Sequence, residues 1–127
     1  MKQLRGWWAA DRSPHLEIVT PRGDLLDLIV DSGFNGQLML PEPLLMQLGF
    51  VRRGAIDLEL ADGSVVRSET YYGDILWFGQ QKRVRVQATD HDEGLLGTEL
   101  FQGCIVELDL DANRVIFCKK TTRTSKR

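Results

Sequence analysis

The stretch LLDLIVDSGFNGQLMLP, residues 25–41, is the part of the sequence from which a fold can first be predicted. A long apolar run ends abruptly at Asp31, Ser32 and Gly33, and the chain then turns hydrophobic again. An ionised carboxylate in an apolar setting costs several kcal/mol unless something compensates it. Asp31 therefore either caps an ordinary turn or has a chemical role that explains its place at the end of a buried strand.

Short strands separated by glycine and aspartate turns make up most of the chain, a pattern typical of a barrel or sandwich. A first hairpin is predicted from residues 15–20 and 25–30, which flank the turn PRGD. A last hairpin is predicted around residues 111–113. Between them, residues 82–89 alternate valine and alanine with arginine and glutamine, which predicts a strand with one solvated face.

A long amphipathic hairpin is predicted around Asp62 and Gly63. Before this turn, Ile56 and Leu58 alternate with acidic residues. Asp-Gly favours a two-residue hairpin turn because both positions tolerate positive φ. The two arms are therefore expected to carry one apolar and one polar face.

One short helix is predicted in PEPLLMQLGF, residues 41–50. Its leucines stand at helical spacing, prolines lie near its start and Gly49 marks its end. In GLLGTELF, residues 94–101, a single helical turn is expected after the second glycine. The sequence thus predicts a mainly β fold with one short helix.

The length of 127 residues indicates one domain. We divide it into an N-terminal extension, residues 1–14, a β-barrel domain, residues 15–118, and a basic tail, residues 119–127, expected to be disordered. The tail holds five cations, which leaves 11 cations against 18 anions in the rest of the chain. Because the overall charge is only -2, the composition favours neither nucleic acid nor a membrane surface as a partner.

The protein is predicted to be cytoplasmic. No segment has the roughly 18 consecutive apolar residues of a membrane span, and the first residues lack the apolar core of a signal peptide. In that compartment Cys104 and Cys118 are expected to be reduced thiols. They stand near the two ends of the predicted last hairpin, so a disulfide between them is an open alternative.

No metal and no cofactor is predicted. The segment TDHDEG, residues 89–94, places His91 among acids, but consecutive residues on one loop rarely converge on an ion. We interpret it as a solvated acidic loop. The sequence has no phosphate-binding glycine loop, and His15 and His91 accompany no nucleophile motif.

The order of three short motifs gives Asp31 its chemical interpretation. Asp-Ser-Gly follows a buried strand, an Asp-Gly hairpin lies about thirty residues later, and Leu-Leu-Gly comes some thirty residues after that. This order resembles the retropepsin-like (clan AA) aspartic proteases, and VDSGFNGQLMLP resembles their bacterial and archaeal branch, whose signature reads Asp-Thr/Ser-Gly-Phe. The resemblance covers roughly residues 15–117. It implies a small closed acid-protease barrel that forms a two-fold homodimer.

The resemblance also implies a role for each motif. Asp31 is the implied catalytic residue, and the hydroxyl of Ser32 and the small backbone of Gly33 support the catalytic loop. The flap that closes over substrate has its implied tip at Ala61, Asp62 and Gly63. The second signature is Leu95, Leu96 and Gly97, whose glycine is implied to pack beneath the catalytic loop.

Peptide hydrolysis explains why an acid is needed at this place. Water needs a base to take its proton, and the leaving amine needs an acid, and two carboxylates a few ångströms apart supply both because repulsion lets only one ionise readily. A chain with one such triplet requires a second copy, which a two-fold homodimer provides. The expected substrate is a peptide or protein.

The sequence departs from the viral pattern at two positions. Retroviral proteases carry an acid four residues after the catalytic aspartate and an arginine directly after the second-signature glycine. Asn35 and Thr98 stand there instead. Because both partners are missing together, no buried charge is left unpaired, but one feature that stabilises the viral dimer is absent.

Three alternatives remain at this point. The chain is either an aspartic endopeptidase or a retropepsin-like dimer that binds peptides or proteins without cleaving them. A small β-barrel with an accidental resemblance is the third possibility. Because a pure binding module needs no acid in the triplet, the complete triplet favours the enzyme.

Overall fold

The computed structural model describes residues 2–121, and the fold is mainly β. The strands are β1 Gln3–Arg5, β2 Trp7–Trp8, β3 Pro14–Val19, β4 Leu25–Val30, β5 Leu38–Pro41, β6 Val51–Glu59, β7 Val65–Trp77, β8 Gln80–Thr89, β9 Gly94–Leu96, β10 Cys104–Asp109 and β11 Arg114–Lys119. The helix α1 spans Glu42–Leu48, and a 3₁₀ turn spans Thr98–Phe101.

Residues 2–121 form two sheets. Eight strands follow the order β2-β3-β4-β9-β5-β8-β7-β6, and β1-β11-β10 form a smaller sheet. A further pairing of Val19 with Leu76 joins β3 to β7 within the larger sheet. Residues 3–8, within the predicted N-terminal extension, contribute β1, paired with β11, and β2, paired with β3.

Alternation along the strands builds the core. In β4, Leu26, Leu28 and Val30 are buried, and the residues between them face the other side. Apolar residues of β3, β5, β8 and β9 pack against them in one cluster. Phe117 of the smaller sheet is fully buried and packs edge-on against Trp77, so the two sheets share this core.

The predicted helix and the two predicted end hairpins are confirmed. The helix ends at Gly49, whose φ of 73° is left-handed and whose N–H caps the last turn. The β3–β4 hairpin pairs residues 15–19 with residues 25–29, and β10 and β11 flank the turn at residues 111–113. The single helical turn predicted in residues 94–101 is present as the 3₁₀ turn.

The prediction of a two-residue turn at Asp62-Gly63 is wrong in detail. The hairpin exists, but its loop is longer: the Leu60 N–H donates to Ser64 O, and the Gly63 N–H donates to Leu60 O. Among residues 60–64, only Gly63 has positive φ, at 87°. This is the pattern of a turn closed by a left-handed glycine, so glycine is required at position 63 alone.

The solvated face predicted for residues 82–89 is also partly wrong. Arg83 is exposed, but Gln87, on the same side of β8, is only 5% exposed. At this end β8 lies between β5 and β7. Alternation in the sequence identifies the residues of β8 that share a face, but it does not show how much of that face the rest of the protein covers.

Cys104 and Cys118 are free thiols. In the β10–β11 register Cys104 faces Lys119, and Cys118 faces Ile105. This offset of one residue places the two thiols on opposite faces of the sheet, which excludes the disulfide considered from the sequence. Burial raises the pKa of the Cys104 thiol.

The tail predicted from residue 119 begins within β11, which continues to Lys119. The Lys119 N–H donates to Lys2 O, and the Lys120 N–H donates to Gly103 O. Residues 122–127 lie outside the described residues. Within the described part of the chain, neither helical segment has the length and apolar character needed to cross a bilayer.

A buried tyrosine provides a test of the contact between β7 and α1. Tyr71 is 4% exposed, and its hydroxyl donates to Glu42 Oε2 at 3.1 Å. Burial, together with the bond to Glu42, raises the Tyr71 pKa above its ordinary value of 10.0. The resulting stability is fully present below pH 10.0 and is lost as the pH rises through the folded-state pKa.

We therefore expect Tyr71→Phe to lower the free energy of unfolding by about 1 kcal/mol at pH 7, the usual worth of one hydrogen bond. The difference from wild type should shrink above pH 10.0, because the wild-type protein alone must then keep a buried phenol protonated. Urea unfolding of both proteins at neutral and alkaline pH measures this. A difference that stays constant across that range would contradict the assignment.

Candidate active site

Asp31 follows β4 directly and begins a tight turn. Its N–H donates to Leu96 O at 2.9 Å, which extends the parallel pairing of β4 with β9 by one residue. Its Oδ1 accepts the Gly33 N–H at 2.8 Å. The carboxyl group is half-buried rather than enclosed, so within one chain its charge remains partly solvated.

The loop after Asp31 is held against the second signature by backbone hydrogen bonds. The Gly97 N–H donates to Gln37 O at 2.9 Å, and the Thr98 N–H donates to Phe34 O at 2.8 Å. The Glu99 N–H donates to Gly36 O at 3.2 Å. Two segments about sixty residues apart are thus joined into one rigid unit that fixes the position of Asp31.

Gly97 is required in this unit for space rather than for conformation. Its φ is -99°, which any residue adopts. A Cβ built on Gly97 would lie 2.2 Å from Gly36 O and 2.7 Å from Phe34 O. Only a residue without a side chain lets the loop pass this close.

The two positions that depart from the viral pattern have different surroundings. The Thr98 hydroxyl donates to Phe34 O at 3.3 Å, and the Thr98 N–H donates to the same oxygen. Thr98 therefore holds the loop by hydrogen bonds rather than by an ion pair. Asn35 is exposed. An ion pair between Arg85 and Glu99, at 3.0 Å, lies next to Thr98 along the chain and ties β8 to the 3₁₀ turn.

A continuous row of side chains crosses the sheet beside Asp31. The strand register places Ile29 next to Leu95, Leu95 next to Met39, and Met39 next to Gln87. Neighbours in register share a face, and alternation puts the Asp31 side chain on the face of Ile29. The carboxyl group therefore stands at one end of a shallow floor that runs across β4, β9, β5 and β8.

The implied flap tip is not joined to this unit. Ala61, Asp62 and Gly63 are all exposed, and the hydrogen bonds found at the tip in residues 2–121 stay within residues 60–64. The Ser64 hydroxyl and N–H hold the Asp62 pKa below its ordinary value, so the tip carries a negative charge at neutral pH.

One face of the β6–β7 hairpin is apolar and uncovered. Its register pairs Leu58 with Val66, and Ile56 lies on the same face. Ile56 is 38% exposed and Val66 45%. A hairpin that exposes apolar residues in this way has a surface to offer to a ligand or a second chain.

A hydrogen-bonded chain that the sequence did not reveal lies at the start of β3. His15 Nδ1 is 2.7 Å from Asp27 Oδ1, and His15 Nε2 is 3.0 Å from Ser13 Oγ. This is the connectivity of a Ser-His-Asp triad, yet the Ser13 hydroxyl donates to Asp11 Oδ1 at 2.6 Å. That bond lowers the Asp11 pKa and engages the hydroxyl proton, so we interpret the chain as a structural clamp.

The register of the β3–β4 hairpin is the signal from which this clamp could have been predicted. Ser13 and His15 stand two residues apart and share a face, and β3–β4 pairing brings Asp27 alongside His15. In residues 2–121, no three histidine, cysteine or acidic side chains come together as metal ligands would. The loop at residues 89–94 is ordered instead by the His91 N–H, which donates to Thr89 Oγ1.

No family model matches this chain, and no curated protein does. Among solved structures, the foamy viral protease-reverse transcriptase in complex with an RNA/DNA hybrid is similar over 67% of this chain, with 15% identity and a TM-score of 0.51. The alignment covers 11% of that protein. The same viral protein with double-stranded DNA aligns over 67% of this chain and 14% of its own, with 15% identity and a TM-score of 0.49. At this identity, the first likeness shows a shared fold and nothing about activity.

Proposed function

We propose that this chain is an aspartic endopeptidase whose active site is completed by a second copy. The observation that carries the proposal is the rigid unit in which Asp31 stands, half-exposed, on a loop fastened to Leu95-Leu96-Gly97. A turn that only needed a cap would not require four backbone hydrogen bonds from a distant segment. The fold shared with part of a protease-bearing viral protein agrees with this interpretation.

The proposed chemistry needs two carboxyl groups and one water. One Asp31 takes a proton from the water, which attacks the peptide carbonyl, while the protonated Asp31 of the other copy stabilises the oxygen and passes a proton to the leaving amine. Two carboxyl groups this close share one proton, because the second ionisation is opposed by the first. The pair, and not either residue, then sets both limbs of the pH profile.

The rest of the proposed assembly follows from what one chain leaves open. Ser32 is exposed, and its hydroxyl has no hydrogen-bond partner within residues 2–121, so it is free to bond across a two-fold axis. The β6–β7 hairpin is the proposed flap, with its apolar face toward the substrate. The proposed domain is a closed acid-protease barrel, joined through the β3–β7 pairing, in a cytoplasmic homodimer.

We expect activity to rise faster than linearly with protein concentration. One chain supplies half of the site, and Asn35 and Thr98 supply no ion pair that would strengthen the dimer. Sedimentation velocity beside a cleavage assay on a mixed peptide library, over the same concentration range, measures this. Full activity from a protein that sediments only as a monomer at high concentration would contradict the proposed assembly.

The second candidate is a dimer that binds peptides without cleaving them, and the uncovered apolar hairpin face is the observation that favours it. The same peptide library separates the two candidates. Cleavage that depends on Asp31 supports the enzyme. Peptide binding without cleavage at any pH between about 4 and 8, the range in which a carboxyl pair is expected to act, supports the binding module.

A further inference from the structure

An open cavity of about 500 Å³ lies over β5 and β9. Met39 and Leu95 form its apolar floor, and the other lining residues are Thr89, His91, Asp92 and Glu93. A smaller cavity of about 220 Å³ shares Asp92 and Glu93 and adds Asp27 and Ile29. The two acids thus form a rim between two hollows, and the larger hollow has the volume of an ordinary ligand site.

The cavity belongs to the same surface as the candidate catalytic group. Leu95 is the register neighbour of Ile29, which precedes Asp31 by two residues on the same face. The next residue, Leu96, accepts the Asp31 N–H. A peptide bound at Asp31 would therefore place a neighbouring side chain over Leu95 and Met39.

The rim favours one kind of ligand group. Asp92 and Glu93 offer hydrogen-bond acceptors and negative charge. Lysine and arginine side chains carry donors and no acceptor, and their methylene stems pack on apolar surfaces. An acidic side chain would be repelled by the rim, and a purely apolar one would leave the two acids without a donor from the ligand.

We propose that this cavity is a specificity pocket for a lysine or arginine side chain of the substrate. The stem lies on Met39 and Leu95, and the charged end is held by Asp92 and Glu93. This inference rests on the proposed function, because it assigns the pocket to a peptide bound at Asp31. It extends that function by naming a basic residue as the feature that selects the substrate.

The test uses peptide binding, so that it does not depend on hydrolysis. Fluorescein-labelled octapeptides with one fixed sequence carry lysine, norleucine or glutamate at a single central position, and fluorescence anisotropy measures their Kd for the Asp31→Asn protein. Norleucine matches the lysine stem without its charge. We expect the lysine peptide to bind about tenfold more tightly than the norleucine peptide at low salt, with the preference falling as salt is added.

Two variants locate the effect. Asp92→Asn combined with Glu93→Gln should bring the lysine and norleucine peptides to nearly equal affinity. The matched control, Glu107→Gln with Asp111→Asn, removes two exposed acids from the β10–β11 hairpin and should keep the preference.

The outcomes separate this inference from the proposed function. A lysine preference that disappears in the rim variant supports the pocket, even where the wild-type protein cleaves nothing. Equal affinity for lysine and norleucine, a preference unchanged in the rim variant, or no measurable binding of the lysine peptide overturns it. Cleavage by wild type that ignores lysine would overturn the pocket and leave the proposed hydrolysis standing.

Discussion

Replacing Asp31 with asparagine is expected to lower peptide hydrolysis by at least about a thousandfold, within the range for loss of a general acid–base group. The amide has nearly the shape of the carboxyl group, and its Oδ1 can still accept the Gly33 N–H that closes the turn. The amide cannot take a proton from water. The expected result is therefore a folded protein that binds peptide and does not cleave it.

A matched control is Asp109→Asn. Asp109 Oδ1 also accepts a backbone N–H in an exposed turn, that of Ala112, and it lies on the β10–β11 hairpin. This variant should keep full activity. If Asp31 were only a turn cap, both variants would cost at most about 1 kcal/mol of stability and neither would change cleavage. Undiminished cleavage by the Asp31 variant would refute the catalytic role.

Gly97→Ala is expected to have a large effect on stability, a loss of about 3 kcal/mol or more. The new methyl group would meet two backbone carbonyl oxygens of the loop, those of Gly36 and Phe34. Backbone cannot move aside as the end of a flexible side chain can. The loop would have to leave the second signature, so activity should fall together with the free energy of unfolding.

Gly103→Ala is the control for this prediction. Gly103 has a φ of 76°, and a Cβ at this position would meet no heavy atom within 4 Å. Alanine there costs only conformational strain, about 1 kcal/mol. Urea unfolding of both variants gives the comparison. Equal stability losses would show that the close approach at Gly97 is not what fixes the loop.

The sequence predicted the hairpins and the helix because their signals are local. Gly49 and the prolines mark the helix, and alternation marks the strands around residues 15–30. The resemblance implied that Gly97 packs beneath the loop of Asp31. The structure adds the hydrogen bonds and the close backbone approach that form this contact. The turn at Asp62-Gly63 differed because a dipeptide does not fix the length of the loop around it.

The features that the sequence did not predict depend on the register between paired strands. The offset of Cys104 from Cys118 is one residue, which no spacing along the chain reveals. The row from Ile29 to Gln87 requires the order β4-β9-β5-β8, in which strands far apart in sequence are neighbours. The clamp at His15 likewise depends on a diagonal contact across a hairpin.

A mixing titration shows whether two copies of Asp31 form one active site. Wild-type and Asp31→Asn proteins are mixed in varying ratio at constant total concentration, allowed to exchange subunits, and assayed for peptide hydrolysis. Because a mixed dimer holds only one carboxyl group, we predict that an equal mixture retains about one quarter of the wild-type activity, the fraction of wild-type homodimers. A linear decline, with about half of the activity left in the equal mixture, would mean that each chain works alone and would contradict the shared site.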